Sequence, residues 1–228
     1  MHIHILTIFP QMFDGFFNDS IIKRAVDKKL VKISLYNFRE YGIKSGIRKE
    51  VDDYAFGGGA GMVMRIEPIV KCLEDIQKEV KLDEIIFLTP DGKKFEQSIA
   101  NELSLNKNIA LLCGRYKGID QRIRDNFVTK EISIGDYVLS GGELAAAVLS
   151  DAIIRLIPGV LSNESSALLD SFQGELLDAP VYTRPEKFRD MNVPDVLLSG
   201  DHKKIEEWRY QKALEKTKKQ RPDIYNKL

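Results

Sequence analysis

The sequence has little of what marks a secreted, metal-bound or membrane-embedded chain. Only two cysteines, Cys72 and Cys113, occur in 228 residues, both in apolar surroundings. That excludes a disulfide framework and fits the reduced thiols of a cytoplasmic protein. Three histidines, His2, His4 and His202, show no metal-ligand spacing, so no structural zinc site is expected. No apolar run approaches the length of a membrane span. The opening stretch from His2 to Phe9 lacks the basic region of a signal peptide and alternates like a strand. Net charge is zero, 34 Lys and Arg against 34 Asp and Glu, which gives no global pull towards nucleic acid. The local exception is Asp201 to Leu228, with nine basic residues against five acidic ones. Such a helix is either a phosphate-contacting face or a solvated surface.

What is present describes a globular protein. Hydrophobic residues make up 43% and charged residues 30%, and the length allows one good core with a small second domain. Alternation predicts strands over 2–9 and 31–38, and Phe13, Phe16, Phe17, Ile21, Ile22 and Ala25 recur at helical spacing as far as Lys28. A polar stretch from Arg39 to Gly61 is too long for a plain connection and is a candidate functional loop. Its cluster Gly57-Gly58-Gly59-Ala60-Gly61 matches neither a P-loop nor a dinucleotide fingerprint. Strands over 84–89, 108–113 and 129–134 then alternate with helices over 67–80, 95–103, 119–127 and 143–157, and Pro90-Asp91-Gly92 reads as a turn. This alternation predicts an α/β domain with a largely parallel sheet, and the pattern alone draws it unknotted. Beyond Pro158 a polar linker, a proline-bearing region and a charged helix over 203–219, carrying Trp208, indicate a small second domain.

Two stretches concentrate the glycines at strand ends. Leu111 to Asp120 and Ile132 to Glu143 each run from an apolar strand into a glycine-bearing loop and on to a helix. Such loops bring main chain close to a ligand at the carboxyl edge of an α/β sheet. No Ser-His-Asp or Cys-His arrangement can be placed, which leaves carboxylates and arginines. Arg155 follows Asp151 by four residues, the spacing of a helix-face ion pair. Asp170, in the polar segment between the domains, is a cap, a solvated residue, or an acid that closes over a substrate as general base.

Several further motifs occur in one order. They include Thr7-Ile8-Phe9-Pro10-Gln11-Met12-Phe13, Val51-Asp52-Asp53 before the glycine cluster, Cys113-Gly114-Arg115-Tyr116, and Ser133-Ile134-Gly135-Asp136-Tyr137-Val138-Leu139-Ser140-Gly141-Gly142-Glu143. Ile157-Pro158-Gly159-Val160-Leu161 and Tyr182-Thr183-Arg184-Pro185 follow. Over nearly its full length the chain resembles the bacterial tRNA (guanine-N1)-methyltransferases. The resemblance implies a SPOUT-type fold, a knotted parallel sheet flanked by helices with a small, mostly helical carboxy-terminal domain. It implies a methyltransferase domain over 1–160, a flexible linker over 161–172 and a tRNA-binding domain over 173–228. It further implies a cytoplasmic homodimer with an active site shared between subunits, and no membrane association.

The methyl donor implied is S-adenosyl-methionine, held by Leu88, Thr89, Pro90, Gly114, Tyr116, Gly118, Ile134, Tyr137, Leu139, Gly141 and Gly142. The substrate implied is tRNA with a guanosine immediately 3′ of the anticodon. Asp170, from the partner subunit, is then the base that takes the N1 proton, and Arg155 stabilises charge developing on O6. One departure bears on metal: the resemblance implies a glutamate linked with substrate or magnesium contacts where this chain has Lys117, which puts the Mg2+ that the family would bring in doubt. The competing readings are another SPOUT RNA methyltransferase with a different target base, or a non-catalytic RNA-binding relative. The segment from Ser162 to Leu169 is expected to be mobile without tRNA.

Overall fold

The period-two apolar pattern of the strands decides which side chains face which layer. In the computed structural model, which describes residues 1–45, 48–161, 171, 172, 174, 176–226 and 228, the chain divides into two compact units, Met1–Ser162 and Asn163–Leu228. The first unit runs through β1 (His2–Thr7), α1 (Asp14–Phe17), α2 (Ser20–Asp27) and β2 (Lys32–Asn37). Four short strands follow, β3 (Ile43–Ser45), β4 (Arg48–Glu50), β5 (Asp52–Tyr54) and β6 (Met62–Met64). Then come α3 (Ile66–Glu79), β7 (Glu84–Lys94), α4 (Gln97–Ser104), β8 (Asn108–Cys113), α5 (Gln121–Asn126), β9 (Lys130–Ser133) and α6 (Glu143–Ile154).

Five strands form one parallel sheet in the order β2-β1-β8-β7-β9. Ile3 and Ile5, Ile109 and Leu111, and Ile86 and Leu88 face one side, where Ile22, Ala25, Leu103, Leu149 and Ile153 cover them from α2, α4 and α6. Leu6, Ala110, Leu112, Ile85 and Phe87 face the other, against Ile69, Leu73 and Ile76 of α3 and Ile123 of α5. Adjacent residues of a strand therefore serve different cores. This is the expected α/β sheet flanked by helices. The chain leaves β9 at the sheet edge and returns to β8, where the Gly142 N–H donates to the Gly114 carbonyl at 3.0 Å.

Three local expectations are corrected. The single helix expected up to Lys28 is interrupted at Asn18 and Asp19, because the Asp19 carboxylate accepts the Ser20 N–H at 2.6 Å and caps a new helix. The expected turn at Pro90-Asp91-Gly92 is a bulge inside β7: both Leu88 and Lys93 pair with Ile132 of β9, and the residues between them swell out of the ladder. A side chain at Gly92 would start 2.6 Å from the Glu131 carbonyl carbon, so the strand edge closes only over glycine. The described part of the long polar stretch is not a plain loop: β3 pairs with β4, and β5 with β6 just beyond it, as antiparallel ribbons.

The second unit contains a helix over His202–Gln220, capped by the Asp201 carboxylate, which accepts the Lys204 N–H at 3.2 Å. Thr217, fully buried on it, accepts the Leu177 N–H at 2.9 Å and donates to the Ala213 carbonyl at 2.8 Å. Short helices at Asp195–Leu198 and Pro222–Tyr225 and a two-stranded ribbon, Lys187–Phe188 with Met191–Asn192, complete it. The expected linker over 161–172 lies almost wholly outside the described residues, as does the segment from Ser162 to Leu169.

Candidate functional site

The site is built where β8 and β9 end and β7 bulges. The bulge of β7 takes Thr89 and Pro90 out of the ladder and lets the Thr89 hydroxyl bond the Asp91 carboxylate. Asp91 also receives Arg124 from α5, Nη2 to Oδ2 at 2.8 Å. The Thr89 hydroxyl first, and then the Arg124 guanidinium, hold the Asp91 carboxyl below the usual carboxylate range. Arg124 in turn forks onto Glu131, at 2.7 and 2.6 Å, and this pairing, working against the cost of its burial, pushes the guanidinium's affinity for its proton up. One wall therefore carries a fixed ionic group, bidentate on one side.

The loop after β8 is held open by a neighbour far away in sequence. Met64, at the end of β6, donates its N–H to the Gly118 carbonyl at 2.9 Å and accepts the Asp120 N–H at 3.0 Å. Lys117 N–H donates to the Met62 carbonyl at 3.0 Å, and the Lys117 stem packs so that a side chain at Gly61 would start 3.0 Å from its Cγ. The candidate functional loop thus braces the first glycine loop. Asp120 then caps α5, accepting the Arg122 N–H at 2.9 Å. Gly118 has φ +118° and open space where a Cβ would stand, a stretch of bare main chain.

The loop after β9 closes the opposite side. At Gly135, φ +153°, a side chain would start 2.4 Å from the Tyr137 ring, so the ring folds back over the loop, its hydroxyl donating to the Ile134 carbonyl at 3.3 Å. At Gly142 an added Cβ would lie 2.8 Å from the Cys113 Cα, so the two loops touch through backbone. Cys113 is fully buried there, and burial pushes its thiol well above the ordinary range. It is a packing residue rather than a nucleophile.

These strand ends and loops enclose a cavity of about 520 Å³, within the usual range for small-molecule sites. All eleven residues expected to hold the donor, Leu88, Thr89, Pro90, Gly114, Tyr116, Gly118, Ile134, Tyr137, Leu139, Gly141 and Gly142, line it. Lys117 lines it too. Arg155 does not: it ends α6, its N–H donating to the Asp151 carbonyl at 3.1 Å, at the opposite end from Gly142. Twelve helical residues separate the two ends, about 18 Å at 1.5 Å per residue. Asp170 lies outside the described residues. Sequence reasoning passed over Asp91, Arg124 and Arg115 as lining residues. Arg115 stood in a quoted motif, but nothing in the one-dimensional pattern paired Asp91 with Arg124. Among the described residues no group of three His, Cys, Asp or Glu could hold a metal ion.

A parallel sheet with glycine loops around a cavity at its carboxyl edge defines the class of α/β proteins, in which that edge is the usual place of a ligand. Known proteins narrow that class. The chain belongs to the tRNA (guanine-1)-methyltransferase family: the family model described as tRNA (Guanine-1)-methyltransferase TrmD matches residues 1–227. It is 57% identical over 224 residues to the tRNA (guanine-N(1)-)-methyltransferase of Bacteroides fragilis, covering 98% of this chain and 99% of that one. Proteins of the same name from Bacteroides thetaiotaomicron and Christiangramia forsetii are each 58% identical, covering 98% of this chain and 99% and 98% of theirs.

Proposed function

We propose that this chain methylates N1 of the guanosine immediately 3′ of the anticodon in tRNA, with S-adenosyl-methionine as donor. One observation carries the reading. In a chain that the family matches over residues 1–227, the eleven residues assigned to the donor come from the β7 bulge and from the loops after β8 and β9, and line one cavity.

The cavity's chemistry suits the donor. Leu88, Ile134 and Leu139 offer apolar walls, the bare backbone at Gly118 allows close approach, and Tyr116 and Tyr137 offer aromatic faces. The donor supplies an electrophilic methyl on a sulfonium; this chain's residues supply binding, orientation and the proton's destination. Guanine N1 carries a weakly acidic proton, so a base is needed, and Asp170 takes that part. Arg155 takes the part of the cation that meets charge developing on O6.

Arg155 lies beyond the end of α6 opposite to Ala145, the helix residue that lines the cavity, which supports a site completed by a second copy. Phe9, Met12, Leu144 and Val148 form an exposed apolar set on the same unit, 39 to 54% accessible, and a patch of this kind suits a subunit interface. In the second unit a cavity of about 930 Å³ gathers Tyr182, Arg184, Arg209 and Tyr210, aromatic and guanidinium groups of the kind that stack on and neutralise single-stranded RNA, which supports a tRNA-binding domain over 173–228. Lys117 brings a cation to the donor cavity, and we assign no Mg2+ there. No helix among the described residues is long and apolar enough to cross a membrane, and we place the reaction in the cytoplasm with its tRNA.

The test is methyl transfer to two tRNA transcripts that differ only in the nucleotide 3′ of the anticodon, guanosine or another base, read by mass spectrometry. 1-Methylguanosine in the first alone is the expected result. Methylation of both transcripts, or of another base, would assign a different target. No transfer to either, with donor bound, would indicate an RNA-binding relative without the activity.

A further inference from the structure

A buried ion pair ties the two glycine loops together, and neither loop's motif explains it. Glu143, the first residue of α6, is 2% accessible. One of its oxygens accepts the Thr7 hydroxyl of β1 at 2.8 Å. The other accepts the Arg115 Nε–H at 3.1 Å and lies 3.0 Å from Nη2 in the ion pair, while Nη2 donates to Met12 Sδ at 3.1 Å. The same guanidinium donates from Nη1 to the Ser140 carbonyl at 3.3 Å, and its face lies over the Phe9 ring, 4.5 Å from the centroid. Arg115 thus belongs to the first glycine loop while holding the second at two points. Its own N–H donates to Met64 Sδ at 3.0 Å, so the brace from β6 meets the pair at one residue.

The ion pair also accounts for a glycine. At Gly141 an added Cβ would sit 2.2 Å from Arg115 Nε and 2.5 Å from Glu143 Oε2. The two atoms are bonded to each other, Nε to Oε2 at 3.1 Å, so a side chain there would have to part the pair. Gly141 lines the donor cavity, but its lack of a side chain is demanded from behind, by the ion pair, as well as from the front.

We propose that Thr7, Glu143 and Arg115 form a clasp that sets the separation of the two glycine loops and so the width of the methyl-donor cavity. The inference rests on the donor reading given above. Arg115 and Glu143 act as positioning residues: they fix the backbone around the cavity and take no part in proton or methyl movement. A guanidinium fork matches a carboxylate in a way an ammonium cannot, so Arg115→Lys keeps the charge and loses the geometry.

The test is calorimetric binding of S-adenosyl-homocysteine, with steady-state kinetics alongside. Arg115→Lys is expected to bind it about ten-fold more weakly or worse, as small misplacements of a preorganised site do. KM for tRNA is expected to stay at the wild-type value. Glu143→Gln is expected to do the same, and the double variant to be no worse than either single one, because the clasp is one unit. Thr7→Val gives a gentler lesion should the charged variants fold poorly, and Thr7→Ser should restore donor affinity. Variants that bind the homocysteine product as wild type does, or losses that multiply in the double variant, would overturn the clasp while leaving the donor site intact. Wild-type protein that binds neither donor nor product would instead refute the donor reading itself.

Discussion

Asp170 and Arg155 are the residues on which the chemistry is proposed to turn; Arg155 does not line the cavity that their reaction would use, and Asp170 lies outside the described residues. Asp170→Asn keeps the size and removes the basicity. Methyl transfer at saturating donor is expected to fall about 10² to 10⁴-fold, with donor affinity unchanged by calorimetry; a near wild-type rate would assign the base elsewhere. Arg155 was ambiguous in sequence, since four residues from Asp151 is also the spacing of an ordinary helix pair. The fold makes its backbone the end of α6, which is a structural duty, so its chemical role is a separate claim. Arg155→Lys is expected to lower kcat more than it changes either KM, because an ammonium lacks the planar fork that would meet O6. Equal falls in rate and donor affinity would make it a folding residue instead.

The elements follow from local patterns more readily than their joints do. β8 could be read from its unbroken apolar run, and α6 from its alanine-rich stretch after Glu143. Leu149 of α6 is fully buried against the sheet, so Leu149→Ala is expected to cost about 2 to 5 kcal/mol, read as a lowered midpoint in chemical denaturation. A loss well under that would mean the helix can settle into the gap. What the pattern could not give was the bulge in β7, because Pro90-Asp91-Gly92 has the chemistry of a turn and only the pairing with β9 holds it in a strand. Nor could it give the bracing of the 114–120 loop by β6, a contact across some fifty residues that rests on backbone bonds any sequence can make. The glycine loops were visible as such, but their assignment to a methyl donor came from family resemblance. Spacing alone offered a ligand site without naming the ligand.

The stability of the whole molecule should carry the mark of groups buried in the form that bears no charge. His2 and His4 sit side by side on β1, ring centroids 3.7 Å apart. His2 Nε2 meets Ser34 Oγ at 2.8 Å and His4 Nδ1 meets the Tyr36 hydroxyl at 3.0 Å. His4 is 1% accessible, and its Nε2 has no partner among the described residues. Burial, then the neighbouring His4, Lys32 and the amino terminus, pull the His2 pKa down from 6.5 to about 4. Burial lowers that of His4 too, with Lys32 adding to the fall and Asn108 and Glu79 opposing it. The unfolded chain therefore binds protons before the folded one does. This contribution to stability is whole above about pH 6.5 and is lost as pH falls towards about 4. At the other end burial, with Asp75 and Glu40, raises the Cys72 thiol from 9.0 to about 12. That contribution is whole below about pH 9 and fades as the unfolded thiol ionises above it. Thermal melts across this range should show a plateau between the two limbs. His2→Gln keeps a nitrogen facing Ser34 and removes one titrating ring, so its acid limb should be shallower than that of wild type. A limb of unchanged slope would mean that carboxylates, rather than the paired imidazoles at the sheet's amino-terminal strand, govern the acid response.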